Sequence, residues 1–409
     1  MTTSFPFGKN DISGKFIKDQ ILNLKRYYPN IKFTVLTGSK NKFEKNEDNI
    51  SYDLKIFRYF FKSMEILGNE AIKIQINKNK LILFLVPFYF ISQLINASKV
   101  SSKNGINLIY VHWFFPQALT AYLIYKFKKI PYKITIHSSE IEYFLKFFKS
   151  IGLRLAKKII LNSSGISATS KEVFESLKLV LSDKELLQVN TVISPMGINS
   201  DLLEETNALE VKGVEKENKI KNILFIGRLV EKKGILELLE NFSSFYQINK
   251  SYNLIIAGYG ALENEIKDYI IKNKFGDFIK FLGKVNDEQK KYLFDHSEIL
   301  VVPSIKTKDD TEGMPVVIVE GLYYGIILLV SQYTNPYSVI THKENGFIFD
   351  IDKENELLNY LIHISKLDNI EKSKVKKQAK ISSSQYSSQE SSKLYFDFLS
   401  FENNENIQN

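Results

Sequence analysis

The feature that most constrains this chain is a repeated alternation of short apolar runs with longer segments of helical spacing. Each run is bounded by turn residues, which is typical of a strand buried on both faces of a parallel sheet. The connecting segments are long enough for crossover helices, so the pattern predicts doubly wound α/β folding. The strands are predicted at residues 32–37, 54–60, 108–112, 133–137, 165–168, 189–193, 222–226, 253–257, 278–282, 299–302 and 327–330.

A polar and weakly periodic stretch separates two series of strands. At 409 residues the chain is too long for a single hydrophobic core, which favours two domains. We predict a first domain at residues 1–200, a linker at 201–220 and a second domain at 221–380. Residues 381–409 are a tail with an amphipathic segment that could cross back to the first domain.

The chain opens on MTTSFPFG, which looks like the end of a strand and the loop after it. We therefore expect either that the true start lies upstream of Met1 or that the first sheet lacks a strand.

The net charge of +9 is unevenly distributed. Residues 1–200 carry 29 Lys and Arg against 14 Asp and Glu, whereas the remainder carries 26 against 32. The stretch from Ala71 to Ser139 contains no acidic residue. This asymmetry predicts an anionic partner for the first half, either a membrane surface, nucleic acid or a phosphorylated acceptor. Nucleic acid is disfavoured because no helix-turn-helix, RNP or finger signature is present.

Cysteine is absent and only five histidines are present, none paired with carboxylates at metal-binding spacing. These counts exclude disulfides and disfavour a zinc site. No signal peptide is recognisable. The most apolar run, 81–95, is shorter than the roughly 20 residues needed to span a bilayer. A basic amphipathic segment at 141–160 could lie on a membrane or cover its own sheet, and the sequence leaves both open.

The loop and helix at 303–325 contain the first candidate site. Pro315 suits the first turn of a helix, and the N–H groups at such a helix start suit an anion such as phosphate. Glu312 and Glu320 bracket this position. An ionised carboxylate accepts hydrogen bonds, so sugar hydroxyls are natural ligands for both. The alternative is that one Glu serves the helix dipole and the other is solvated.

A second candidate follows the strand at 222–226. Arg228 and Lys233 leave the carboxyl end of that strand, where two fixed cations could neutralise a diphosphate leaving group. Gly258 and Gly260 follow the next strand, but the third small residue of a GxGxxG fingerprint is missing. This departure argues against a dinucleotide oxidoreductase.

Glu312-Gly-Met-Pro followed by Glu320 resembles the Glu-x7-Glu signature of retaining, nucleotide-sugar-dependent glycosyltransferases of family 4. Gly227-Arg228 to Lys233 resembles that family's Gly-Arg-x4-Lys element. The resemblance implies two Rossmann-like doubly wound α/β domains with a central cleft, the GT-B fold. It also implies that the enzyme needs no metal or other cofactor.

The resemblance implies roles for individual residues. His137 matches the family's active-site histidine, although Ser138 stands where the family has Gly, and Ser13-Gly14 replaces a Gly-Gly pair. The implied catalytic residues are His137, Glu312, Arg228 and Lys233. His112 and Trp113 are expected on the acceptor side. The implied donor-binding residues are Gly14, Arg228, Lys233, Gly258, Gly260, Gly283, Lys284, Val285, Glu312, Gly313, Met314, Pro315 and Glu320.

The function implied is retaining transfer of a hexose-type sugar from a nucleotide-diphosphate donor to a glycan or lipid-linked acceptor. Cell-surface polysaccharide or lipopolysaccharide synthesis is the expected setting, in the cytoplasm or on the cytoplasmic face of the membrane. A GT-B sugar-nucleotide epimerase and a non-catalytic subunit that binds nucleotide-sugar are the alternatives.

Overall fold

The structure is a computed structural model in which the chain forms two compact units, Met1–Ser194 with Ser391–Asn409, and Pro195–Glu390. The residues described are 1–8, 11, 13–41, 51–69, 80–103, 105–194, 197–212, 214, 220–307, 312, 314–334 and 339–400.

The first unit alternates strands and helices. Its elements are α1 (Lys15–Tyr27), β1 (Thr34–Gly38), β2 (Asp53–Phe57), α2 (Leu85–Lys103, entered through a 3-10 turn Lys80–Phe84), β3 (Ile109–His112), α3 (Leu119–Lys128), β4 (Tyr132–Ile136), α4 (Glu140–Leu161), β5 (Gly165–Ala168), α5 (Lys171–Glu175), α6 (Asp183–Leu186) and β6 (Thr191–Ile193).

Strands β3, β4, β5 and β6 form a parallel sheet in chain order, and β1 pairs in parallel with β2. The first residues of the chain lie between these two groups. The Thr2 N–H donates to the Leu36 carbonyl on β1 at 3.2 Å, and the His112 N–H donates to the Met1 carbonyl at 3.0 Å. The opening residues therefore bond to both neighbours, as a strand between β1 and β3 would.

The second unit contains a larger parallel sheet. Its elements are α7 (Ser200–Glu205), β7 (Lys221–Ile226), α8 (Ile235–Ile248), β8 (Tyr252–Ala257), α9 (Glu263–Lys272), β9 (Ile279–Gly283), α10 (Asp287–Asp295), β10 (Ile299–Val302), α11 (Val316–Tyr324), β11 (Ile327–Ser331), β12 (Phe347–Phe349), α12 (Glu356–Lys366) and α13 (Asn369–Ser383).

The strand order in this sheet is β12-β11-β10-β7-β8-β9, and every pair is parallel. The order reverses between β7 and β10, so the topological switch point lies there. Ligands of open α/β sheets bind at the carboxyl ends of the strands beside such a point. Both faces are covered by helices because the strands are apolar throughout; all four residues of β10, for example, are buried.

These elements confirm the predicted class, a mixed α/β fold with parallel sheets. The strand β12 and the helix α13 were not predicted from the sequence. Residues 201–220 were predicted as a linker, yet α7 begins at Ser200 and Val211 and Val214 are buried in the core of the second unit. The residues around these two valines are mostly polar, so the sequence pattern did not indicate that the valines are buried.

The last helix, α14 (Ser388–Leu399), returns to the first unit. Tyr395 and Phe398 are buried, and the Phe396 ring stacks on Tyr28 with centroids 3.9 Å apart. The Lys133 ammonium donates to the Phe398 carbonyl. The aromatic side of the predicted amphipathic tail thus packs on residues far away in the sequence.

The apolar run at 81–95 lies within a longer helical segment. Leu81–Lys103 forms a continuous helical segment of 23 residues, which is long and apolar enough to cross a membrane by length and composition. About a third of its most apolar window is buried against the unit (33%).

Gly234 offers a test of the loop packing between β7 and β10. Its φ of 64° is in the left-handed region, and a Cβ there would lie 1.8 Å from the Pro303 carbonyl oxygen. We expect Gly234→Ala to lower the free energy of unfolding by about 2 kcal/mol or more. Gly276→Ala is the control, because a Cβ there meets nothing within 4 Å. Equal urea midpoints for the two variants would contradict the close approach.

Candidate functional site

A buried ion pair joins two loops at the switch point of the second unit. Lys233 ends a short 3-10 turn after β7, and its ammonium lies 2.8 Å from the Glu312 carboxylate in the loop after β10. The Lys232 ammonium lies 3.8 Å from the same oxygen. The Ile305 N–H also donates to the Lys232 carbonyl at 3.0 Å. The two loops are therefore fixed to each other by main-chain and side-chain bonds.

The electrostatics of this cluster favour an anionic ligand. Burial lowers the pKa of Lys233, an effect that Glu312 opposes and that Lys232 and Arg228 reinforce. Burial alone would raise the pKa of Glu312, but Lys233, Lys232 and Arg228 together hold it below its usual range. Glu312 is thus ionised, and three cations face one carboxylate. The excess of positive charge suits a diphosphate.

Glycines bring the ends of β7, β8 and β9 close together. A Cβ at Gly258 would lie 1.9 Å from the Gly227 carbonyl oxygen, and a Cβ at Gly260 would lie 2.3 Å from that of Leu229. The Gly258 N–H donates to the Gly283 carbonyl at 2.8 Å. Both glycines that were predicted to bind the donor are thus required for packing at the carboxyl edge of the sheet.

A second ion pair lies on the helix that follows the loop. Glu320, in the second turn of α11, is 2.5 Å from the Lys290 ammonium of α10, and these side chains are 13% and 20% exposed. Pro315 directly precedes α11, and Met314 is buried beneath it. Gly313 lies outside the described residues.

The remaining donor-side predictions lie after β9. The Lys284 ammonium is 5.8 Å from the centre of the Tyr259 ring, so it faces the loop after β8. Val285 is half-buried and packs on the core of the unit. Arg228 is exposed, directly after β7. The structure therefore gathers the predicted residues of the second domain along one edge of one sheet.

Two histidines meet in the first unit. His112 ends β3 and His137 directly follows β4, and the His112 Nδ1 and His137 Nε2 atoms lie 3.1 Å apart. The Trp113 ring centre is 5.3 Å from that of His137, and the Phe16 ring is 5.1 Å away. Burial lowers the pKa of His137 to about 3. Burial, with His137 nearby, lowers the pKa of His112 well below its ordinary value, so both rings are neutral at pH 7.

Gly14 lies at the start of α1, which carries Phe16 to the histidines. Its φ is 75°, and a Cβ there would be 2.2 Å from the Ser4 carbonyl oxygen, so this position requires glycine. The preceding loop is held by a buried ion pair, in which the Lys40 ammonium lies 2.6 Å from Asp11. The Ser13 hydroxyl donates to the same carboxylate at 2.6 Å.

Glu140 was not among the site residues predicted from the sequence. Its two oxygens accept the N–H groups of His137 and Phe114, both at 2.7 Å. Burial raises the pKa of Glu140 to about 7, although these N–H donors oppose the shift. Glu140 thus clamps the two strand-end loops that carry the histidines and Trp113. The one sequence feature that could have indicated Glu140 is its position three residues after His137.

Lys232 and Lys290 were also missed. Lys232 is adjacent to the predicted Lys233, whereas Lys290 is 30 residues from its partner Glu320 and no local pattern marks it. The segment at 141–160 corresponds to α4, whose Ile141, Phe144 and Ile159 are buried in the core of the first unit. One side of the helix thus covers its own domain, whereas Phe147, Ile151 and Leu153 on α4 are exposed, so contact of this helix with a membrane stays a prediction.

The Glu140 clamp predicts a pH dependence of stability. The folded pKa of about 7 exceeds the 4.5 of a carboxyl in water, so protonation stabilises the folded state. This contribution is complete below pH 4.5 and is lost as the pH rises through 7. The unfolding free energy of the wild type relative to Glu140→Gln should therefore fall by up to about 1.4 kcal/mol per pH unit in that window.

Urea unfolding of both proteins between pH 4.5 and pH 8 measures this slope. Glu175→Gln is the matched control, because this carboxylate is exposed on α5 and pairs with Lys178. If the difference in unfolding free energy between wild type and Glu140→Gln stays constant with pH, the pKa of Glu140 in the folded protein is not raised.

The two doubly wound units have the GT-B fold, because solved structures of glycosyltransferases with that fold superimpose on the chain. Sucrose-phosphate synthase of Thermosynechococcus elongatus aligns with a TM-score of 0.70 at 15% identity, over 94% of this chain and 92% of that one. HepE of Anabaena, solved with UDP, aligns with a TM-score of 0.68 at 16% identity, over 97% and 98%.

Residues 207–382 match the family model Glycosyl transferases group 1. An uncharacterized glycosyltransferase of Methanocaldococcus jannaschii is 25% identical over 68% of this chain and 72% of its own length. The chain is therefore a glycosyltransferase, and it carries a domain of this group.

Two further relatives have more specific names. The alpha-monoglucosyldiacylglycerol synthase of Acholeplasma laidlawii is 24% identical over 73% of this chain and 77% of its own length. The amylovoran biosynthesis glycosyltransferase AmsK of Erwinia amylovora is 31% identical, over 35% of each chain. The chain thus aligns with about a third of the length of that polysaccharide enzyme.

Proposed function

We propose that this glycosyltransferase moves a hexose-type sugar from a nucleotide-diphosphate donor to a glycan or lipid-linked acceptor, with retention of configuration and without a metal. Cell-surface polysaccharide or lipopolysaccharide synthesis is the proposed setting, on the cytoplasmic side of the membrane. The observation that carries the proposal is the cationic cluster around the Lys233–Glu312 pair at the switch point.

The cluster supports a donor with a diphosphate. The leaving group gains negative charge as the sugar bond breaks, and preorganised cations stabilise that charge best where water is scarce. Lys232 and Lys233 side chains are 14% and 13% exposed, so they meet this condition. HepE, with which the chain shares its fold, was solved with UDP, a nucleoside diphosphate.

The Glu320–Lys290 pair supports a place for the ribose. We assign Glu320 to the ribose hydroxyls, which replace part of its bond to Lys290. An ionised carboxylate can accept two O–H donors at once, so it loses little when the ammonium moves aside.

We assign Glu312 and His137 to the transferred sugar. The neutral ring of His137 can donate one hydrogen bond to a sugar oxygen without adding charge. An oxygen of the leaving phosphate takes the acceptor proton, since Glu140 is already engaged by two N–H groups. His112 and Trp113 are assigned to the acceptor, because an aromatic face can pack on a sugar ring.

A screen of nucleotide-sugars by thermal unfolding tests the donor. A ligand at 100 times its Kd should add about 2.7 kcal/mol to the unfolding free energy, so the matching donor should raise the Tm by several degrees. That donor is then incubated alone and with acceptor mixtures. Transfer supports the proposal, an isomerised sugar indicates an epimerase, and binding without turnover indicates a non-catalytic subunit. If none of the donors stabilises the protein, the proposed function is wrong.

Substitutions at the two ion pairs test the assigned roles. Lys233→Ala and Glu320→Ala should each reduce kcat at least about tenfold, because every 1.4 kcal/mol of lost transition-state binding costs one decade. Lys267→Ala and Glu263→Ala are matched controls, since these residues form an exposed pair on α9 of the same unit. Near-wild-type kcat for both site variants would rule out these roles.

A further inference from the structure

A row of exposed apolar side chains runs along one side of the segment that contains α2. Leu81, Phe84, Phe88, Ile91 and Ile95 are 80%, 61%, 40%, 54% and 48% exposed. Their spacing of alternately three and four residues places them on one face of a helix. We call these five residues the apolar stripe. Every exposed residue between 81 and 95 is apolar.

The opposite side of the same helix is buried. Tyr89 and Gln93 are inaccessible, and Ala97 is 5% exposed, in the core of the first unit. A helix on the surface of a soluble protein places polar residues on its outer side. This helix is apolar on both sides for about four turns, and such large exposed apolar surfaces mark interaction sites.

Aromatic rings of the loop after β2 extend the apolar stripe. The Phe60 ring lies 5.1 Å from Phe88 and 6.2 Å from Phe84, and 5.1 Å from Phe61. Phe61 is itself 72% exposed, and Met64 is 44% exposed. The surface therefore reaches the carboxyl end of β2, the edge of the unit at which ligands of parallel sheets bind.

The chain segment that contains the apolar stripe carries charge of one sign. Residues 71–139 contain nine lysines and no Asp or Glu. Lys99 and Lys103 are exposed where the helix continues beyond the stripe, and Lys62 is exposed beside Phe61. A partner that complements this surface must offer an apolar interior under an anionic layer. A bilayer that contains anionic lipids has both properties.

A second copy of the chain fits this surface less well. An isologous contact would place the same patch against itself. The first 200 residues carry 29 basic against 14 acidic residues, so two copies would bring like charges together. Anionic lipids neutralise the same lysines and also release counterions. The excess of lysines therefore favours an anionic lipid surface over a second copy of the chain as the partner of the apolar stripe.

We propose that the apolar stripe, with Phe61, inserts into the surface of an anionic membrane, and that the helix lies in the membrane plane. The side chains reach roughly 5–10 Å into the boundary between headgroups and acyl chains. The buried side with Tyr89 stays in the protein core, so the helix does not span the bilayer. In combination with the proposed function, this places the carboxyl edge of the first unit beside a lipid-linked acceptor.

Vesicle flotation of the full-length protein tests the surface. Wild type should float with vesicles of phosphatidylcholine mixed with phosphatidylglycerol, and binding should weaken in high salt and with phosphatidylcholine alone. Phe84→Gln/Ile91→Gln should reduce the partition coefficient at least about tenfold, which equals about 1.4 kcal/mol. Ile271→Gln/Ile370→Gln is the matched control, with residues 75% and 80% exposed in the second unit, and should change it less than about twofold.

Three outcomes would overturn the proposal. These are wild type that does not float, a stripe variant that floats like wild type, and a wild-type dimer that the stripe variant converts to a monomer without any change in flotation. Donor-induced Tm shifts are measured on the same proteins. Flotation with no response to any donor refutes the proposed function alone, and a donor response without flotation refutes the membrane surface alone.

Discussion

The second unit depends on one buried ion pair, between Lys233 and Glu312. Removing either partner would leave a charge with little access to water, which is more costly than losing a surface pair. The pair also joins the loops after β7 and β10, where the sheet order reverses. Gly234 lets the same two loops approach within contact distance of Pro303. The ion pair and the close backbone approach at Gly234 thus hold the same two loops together.

The first unit builds its strand-end cluster in a different way. Its histidines are neutral, because burial lowers the pKa of both rings. They are held by main-chain bonds through Glu140 and by the hydrogen bond between the rings, rather than by opposite charges. One unit therefore supplies cations at its strand ends, and the other supplies neutral donors.

Surface charge follows the same division between the halves of the chain. The acid-free stretch of the first half contains an exposed apolar helix face, whereas residues 201–409 carry 26 Lys and Arg against 32 Asp and Glu. Lysines around an apolar face attract an anionic surface over about a Debye length, and apolar insertion acts only at contact. The two effects act in sequence on a membrane and require no change in the fold.

The sequence alone determined the parallel α/β architecture, because buried strands must be apolar and crossovers must be helical. It also placed Arg228, Lys233 and Glu312 at strand ends, since a residue next to an apolar run has a local signature. Gly14 was found in another way, through its resemblance to a glycine of the family's first loop. The sequence did not predict α7 and β12, because these elements are too short to show a hydrophobic periodicity.

Only the tertiary structure decided which side chains meet. Lys290 reaches Glu320 because α10 packs beside α11, and Glu140 reaches the Phe114 N–H because β3 and β4 are neighbours. The sequence showed that residues 81–95 are apolar but not which side of the helix the core covers. Such partners depend on packing between elements distant in the chain, and hydrophobic periodicity carries no information about that packing.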